Sequence, residues 1–160
     1  MNKNKIYTYQ KNGDKVSIEY TKTDKGGFRF WHIIGEPNYS GFKERQNKNG
    51  YSFYSSSGPY EKPLAVTNNP KKGKKYINKT GYIEQYDSYI VLSTDATVKT
   101  KYKTFKNCMV LKYVFELNGS PIFYSYDYYA PNYGLIKSVI KTEKGSAADW
   151  ELISVKNKKK

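Results

Sequence analysis

The sequence predicts an all-β fold: a strongly curved antiparallel sheet of about ten strands, shaped as a half-barrel, open barrel or sandwich, with little helix. Three observations carry that prediction. Apolar and polar residues alternate with period two, as in "KIYTYQ" and "KVSIEYTKT". Turn residues interrupt at short intervals, and Asn12-Gly13 is the plainest hairpin signal among them. Tyr occurs 18 times in 160 residues; its ring covers apolar surface while its hydroxyl stays wet, which suits strands with one half-exposed face. The same aromatic content argues against disorder.

The elements follow in chain order. "KIYTYQ" turns at "KNGD" into "KVSIEYTKT", and "DKGG" leads to "FRFWHII". "GEPN" then leads to "YSGFKER" and "QNKNG" to "YSFYSSS", so residues 1–56 read as an N-terminal meander. Residues 57–76 contain Pro59, Pro63 and Pro70 and read as an irregular crossover loop between two halves of one sheet. Residues 77–156 supply longer strands: Tyr82 to Leu92, Ala96 to Tyr102, Lys106 to Leu117, Ile122 to Tyr129, Leu135 to Thr142 and Trp150 to Val155. Thr104-Phe105 marks a bend between the second and third of these. A turn near Gly145 to Asp149 is the one helical candidate. Neither half is long enough for a core of its own, so residues 1–156 form one domain, followed by a basic tail at 157–160.

Alternation assigns the faces. Met109, Leu111, Tyr113, Phe115 and Leu117 share the core face of their strand, and Cys108, Val110, Lys112, Val114 and Glu116 share a half-covered one. Tyr124, Tyr126 and Tyr128 share one face of the next strand, with Ser125 and Asp127 on the other. Such tyrosines either line a hollow or complete a core. Tyr113, Phe115, Tyr124, Tyr126, Tyr128 and Trp31 are therefore the candidate ligand-binding residues, on the concave face of the sheet.

Net charge is +14, but only Arg29 and Arg45 are arginines. Arg is the residue suited to bidentate phosphate and base recognition, so a chain this poor in it is a weak candidate for reading nucleic acid. Lys71, Lys72, Lys74 and Lys75 form the densest basic cluster and are the candidate contact to a polyanion or an anionic membrane surface. Cys108 is the single cysteine, so no intrachain disulfide forms.

Catalytic chemistry finds no constellation. His32 is the only histidine, and alternation places it opposite Trp31 as a structural strand residue. One His and one Cys do not make a usual zinc site, so no metal and no cofactor are assigned. Asp87, Asp95 and Asp127 are scattered along the chain. "NNPKKGKK" lacks the first Gly and the Ser or Thr of a phosphate loop.

Four segments in order, "LAVTNNPKKGKKY", "VKTKYKTFKNCMVLKY", "YYAPNYGLIKSVI" and "WELISV", resemble a family of bacterial cell-envelope and lipoprotein domains of mostly unassigned function. The family pattern has a Gly-Thr-Phe-Lys-Asn-like bend, a Tyr-Tyr-Ala-x-Gly-Val-Gly-Leu-Val-Lys-like turn and strand, and a closing Glu-Leu strand. Gly73 with Tyr76, Thr104-Phe105, Tyr129-Ala130 and Gly134-Leu135-Ile136 carry the likeness, which spans Pro63 to Val155. Lys103 stands where the family has Gly, and Tyr133 where it has a smaller residue. Gly134 is expected at φ > 0 in a tight turn, Phe105 at the end of the sheet, and Trp150 closing the core.

The resemblance implies an extracytoplasmic protein, secreted or lipid-anchored, with its leader upstream of residue 1 and no catalytic residues. The function expected is non-enzymatic binding of an apolar or amphipathic ligand, a partner protein or an envelope polymer, by a monomer. The alternative is a single-stranded nucleic-acid-binding β module that uses lysine beside aromatic strands.

Overall fold

Asn12 and Gly13 take φ of 49° and 96°, the pair of left-handed positions whose twist matches the strands of a two-residue hairpin. The chain doubles back there and pairs β1 (Lys5–Lys11) with β2 (Asp14–Thr23). The pattern repeats through β3 (Arg29–Ile33), β4 (Gly41–Asn47), β5 (Gly50–Ser55), β6 (Pro63–Thr67), β7 (Lys75–Lys79) and β8 (Gln85–Lys99). It continues through β9 (Thr104–Leu117), β10 (Ser120–Ala130), β11 (Gly134–Thr142) and β12 (Gly145–Asn157). The structure is a computed structural model, and it describes residues 1–37, 40–48, 50–55, 63–79, 85–117, 120–142 and 145–158.

All twelve strands form one antiparallel sheet in the order β6-β5-β4-β3-β2-β1-β12-β11-β10-β9-β8-β7. Every strand pairs with its sequence neighbours except that β6 and β7 do not pair with each other, and β1 pairs with β12, so the two chain ends meet mid-sheet and β6 and β7 form its edges. The sheet curls until those edges face each other, giving a nearly closed barrel with one unsealed seam. Among the described residues no backbone ladder crosses the seam; the hydroxyls of Thr67 and Tyr76 meet across it at 2.9 Å. The all-β, curved antiparallel architecture expected from the alternation is the one found.

Details differ. Twelve strands replace about ten because residues 57–76 are not one loop. β6 and the start of β7 lie inside that segment, and only residues 68–74 carry the chain from one sheet edge to the other. Gly145 to Asp149 is not helical: Thr142↔Gly145 and Lys141↔Ser146 open the ladder of β11 with β12. Gln85 to Lys99 is one continuous strand, with register shifts between Val91 and Val98.

Those shifts explain the segment around Thr104-Phe105. The reversal itself falls at residues 100–103, and Thr104 begins β9. Bulges bend a strand and increase its twist, so the tip of the β8–β9 hairpin leans over the β10–β11 turn. Lys103 Nζ donates to the Tyr133 hydroxyl at 2.9 Å, the Phe105 and Tyr133 rings meet edge-on at 4.9 Å, and Tyr102 N–H donates to Leu152 O at 3.2 Å. Phe105 is buried there, and Gly134 has the positive φ its turn requires.

Two apolar clusters fill the interior. One joins Tyr7, Tyr9, Ile18, Trp31, Ile136 and Leu152 with Phe105 and Cys108; the other joins Val66, Tyr89, Val91, Leu111, Tyr113 and Tyr129. Full burial of a large side chain contributes about 2–3 kcal/mol, and edge-on ring pairs such as Tyr7–Trp31, 5.7 Å between centroids, add to that. Outward positions carry charge: Glu19, Lys43, Lys112, Lys137 and Glu151 occupy the ladders of β2, β4, β9, β11 and β12.

Candidate functional site

The inner face of β10 is built by Phe123, Ser125, Asp127 and Tyr129, and these side chains line a cavity of about 330 Å³. The opposite walls come from Phe42 of β4, Phe53 of β5, Tyr89 of β8 and Tyr113 of β9. Phe42 and Phe53 lie 5.0 Å apart, Tyr89 and Tyr113 5.0 Å, and Tyr113 and Phe123 5.4 Å. The cavity therefore has aromatic walls at the end of the barrel where β1 turns into β2 and β3 into β4. At about 30 Å³ per water it has room for roughly ten waters or a small organic molecule.

A polar strip crosses this aromatic lining. Asp127 faces Ser138 in the β10–β11 ladder. The Ser138 hydroxyl donates to Asp127 Oδ1 at 2.7 Å, and the Ser125 hydroxyl lies 3.3 Å from the same oxygen. Both serines are buried, so the carboxylate is oriented by hydroxyls fixed in the cavity wall. In the β11–β12 ladder Ser138 faces Trp150 and Val139 faces Ala148, leaving Asp149 as the extra residue of a bulge. A bulge re-aims side chains, and consecutive Asp149 and Trp150 both reach the cavity. Lys11 Nζ sits 4.8 Å from the centre of the Trp150 ring. Tyr9 donates its hydroxyl to Leu135 O at 2.8 Å, and burial pushes this phenol well above its ordinary pKa.

A second cavity of about 650 Å³ opens at the other end of the barrel, lined by Arg29, Glu44, Gln46, Asn68 and Asn107 among others. Tyr129 belongs to both linings, and its ring stands edge-on to Tyr51 at 5.8 Å and Phe53 at 6.4 Å, a partition between the two spaces. Glu44 is fully buried there. It accepts from Trp31 Nε1 at 3.1 Å and from the Tyr51 hydroxyl at 2.9 Å, and it pairs with Arg29 at 3.2 Å and the Met1 amine at 3.4 Å. A buried carboxyl group with this many partners is fixed in place as part of the structure.

The candidate residues read from the sequence are distributed as follows. Tyr113 is buried and lines the first cavity. Trp31 does not face a hollow: it is 1% exposed, stacked on Phe42 and edge-on to Tyr7 and Tyr20, with its N–H committed to Glu44. Tyr124 and Tyr126 stand on the face opposite the cavity, because their neighbours Phe123, Ser125 and Asp127 take the inward positions. Their rings carry Lys112 Nζ at 4.8 Å and Lys141 Nζ at 5.1 Å. Tyr128 is half-buried against the first core cluster rather than in the cavity, and burial raises its phenol pKa. The Phe115 side chain lies outside the described residues. Lys71, Lys72, Lys74 and Lys75 are exposed in and beside the turn that joins β6 to β7, with Lys75 Nζ 3.9 Å from Glu116.

The sequence reading missed the polar strip and Glu44. It had placed Ser125 and Asp127 opposite the tyrosines, which is correct, but assigned the hollow to the tyrosine side. The spacing separates the two faces of β10 without saying which way the sheet curls. His32 Nδ1 lies 3.2 Å from Ser40 O, Cys108 is buried with its thiol pKa raised by desolvation, and among the described residues no group of three His, Cys, Asp or Glu gathers. No family model, no curated protein and no solved structure matches the chain.

Proposed function

We propose that this barrel is a non-enzymatic binding domain that holds a small amphipathic molecule in the cavity between β4, β5 and β8–β12. The observation that carries the reading is the lining itself: aromatic walls of Phe42, Phe53, Tyr89, Tyr113 and Phe123, crossed by one oriented carboxylate at Asp127. A cavity that only completed a core would be filled to crystal-like density. One with apolar walls and a few converging polar groups matches the general form of a small-molecule site. Burying the ligand's apolar part supplies affinity at about 25 cal/mol per Å² before the costs of association.

The neutral fluorophore N-phenyl-naphthylamine tests this. Titration should give a saturable emission increase with one site per chain, together with quenching of Trp150 at the cavity wall. Ile140 also lines the cavity, and Ile140→Trp should abolish saturation while leaving the melting temperature near that of the parent. An unsaturable signal, or one that Ile140→Trp does not change, contradicts the reading. An extracytoplasmic setting is part of the proposal and rests on the resemblance of residues 63–155 to envelope domains; fractionation of the native host tests it. The surface alternative, stacking of single-stranded bases on outward tyrosines, is less well supported, because Lys112 and Lys141 already cover the rings of Tyr124 and Tyr126.

A further inference from the structure

The charge and quadrupole of the cavity specify a ligand class, an inference that rests on the binding reading above. The chain carries +14 overall, yet among the described residues the first cavity is lined by two carboxylates, Asp127 and Asp149, and one ammonium, Lys11. Around them stand aromatic rings whose faces carry the negative lobe of the π quadrupole. An interior of this sign inside a strongly basic protein is not a by-product of composition. Lys excess in the sequence puts positive charge on the outward positions, and the inward positions of β10 and β12 depart from it with two Asp residues.

Two further features point the same way. Lys11 already places an ammonium over the Trp150 ring at 4.8 Å, so the cavity wall accommodates a cation on an aromatic face. Asp127 is oriented by Ser125 and Ser138, both buried and both directed at Oδ1. A carboxylate fixed by two hydroxyl donors stays a hydrogen-bond acceptor, and a donor or cation on the ligand is its complement. We infer that the cavity selects a small organic cation: a protonated amine whose apolar body lies among Phe42, Phe53, Tyr113 and Phe123 and whose ammonium faces Asp127. A carboxylate of the same size would meet Asp127 as like charge.

Three probes of equal length that differ only in the head group decide this: octylammonium, octanol and octanoate, titrated calorimetrically at neutral pH below their aggregation limits. Octylammonium should bind at least about tenfold tighter than octanoate, with octanol between them, the gap expected when both a carboxylate and desolvated ring faces contribute. Asp127→Asn keeps the shape and an acceptor oxygen. It should reduce the preference to within about twofold if the charge of Asp127 is the cause. The parent series stands even where that variant does not fold. Octanoate binding as tightly as octylammonium, or the preference surviving in a folded Asp127→Asn, overturns the charge selection and leaves the amphiphile reading in place. Failure of all three probes to bind overturns both.

Discussion

Glu44 shows what a single side chain decides in this molecule. It lies in "GFKERQN" of β4, a segment that reads as a polar strand with no feature to mark its one glutamate as buried. Pairing of β3 with β4 puts Arg29 opposite it, and pairing of β4 with β5 brings Tyr51 within reach. A buried charge pair contributes little net stability compared with an apolar replacement, but removing one partner strands the other. Glu44→Gln leaves the Arg29 guanidinium uncompensated and should cost about 3 kcal/mol. A urea titration should show the midpoint fall with the slope unchanged; a shift of a few tenths would mean the cluster is not a unit. The candidate site was legible at this level only in part. Alternation separated Ser125 and Asp127 from Tyr124 and Tyr126 correctly, and Tyr113 was placed inward, because period two is local geometry. Which face is concave is not local, so spacing alone does not single out Asp127.

Strand by strand, the turns and the alternation were readable and the edges were not. Asn12-Gly13, Thr104-Phe105 and Gly134 all mark real chain reversals or their flanks. β6 was hidden because Pro63 and Pro70 bracket it, and Pro is tolerated at the start of an edge strand. Gly50 shows how closely that edge approaches: a Cβ there would fall on the carbonyl oxygen of Val66, so only glycine lets β6 lie against β5 at this point. Among the described residues, the seam beyond β6 leaves backbone groups on two edges without ladder partners, which lowers the free energy of local opening. Amide exchange measured by mass spectrometry should therefore be fastest, among the strands, in β6 and β7, and slowest in β1, β11 and β12. Protection in β6 equal to that in β1 would mean that the barrel closes fully.

For the molecule as a whole, buried tyrosine sets the upper pH limit. Tyr9 and Tyr129, which are buried, and Tyr51, which is partly buried, have phenol pKa values well above the ordinary 10.0, first through desolvation and then through neighbouring groups that include Glu44. A folded pKa raised above the unfolded one means the native state keeps its proton longer. The stabilisation is complete below about pH 10 and is lost as pH rises beyond it. Urea midpoints measured from about pH 8 to about pH 12 should be level at first and then fall, with phenolate absorbance of these residues appearing only as the barrel unfolds. Tyr9 and Tyr129 titrating near pH 10 in a protein of undiminished stability would contradict their burial.

The all-β class, the antiparallel meander and the two faces of each strand followed from the amino-acid sequence by itself, since each depends on spacings of two residues and on turns of two to four. The closure of the sheet, the assignment of its hollow to Ser125 and Asp127, the burial of Glu44 and the aromatic partition at Tyr129 were decided only in the tertiary structure. Curl accumulates from twist and bulges over twelve strands. The residues it brings together, such as Phe42 and Tyr113 across the cavity, are too far apart in the chain for any local pattern to connect.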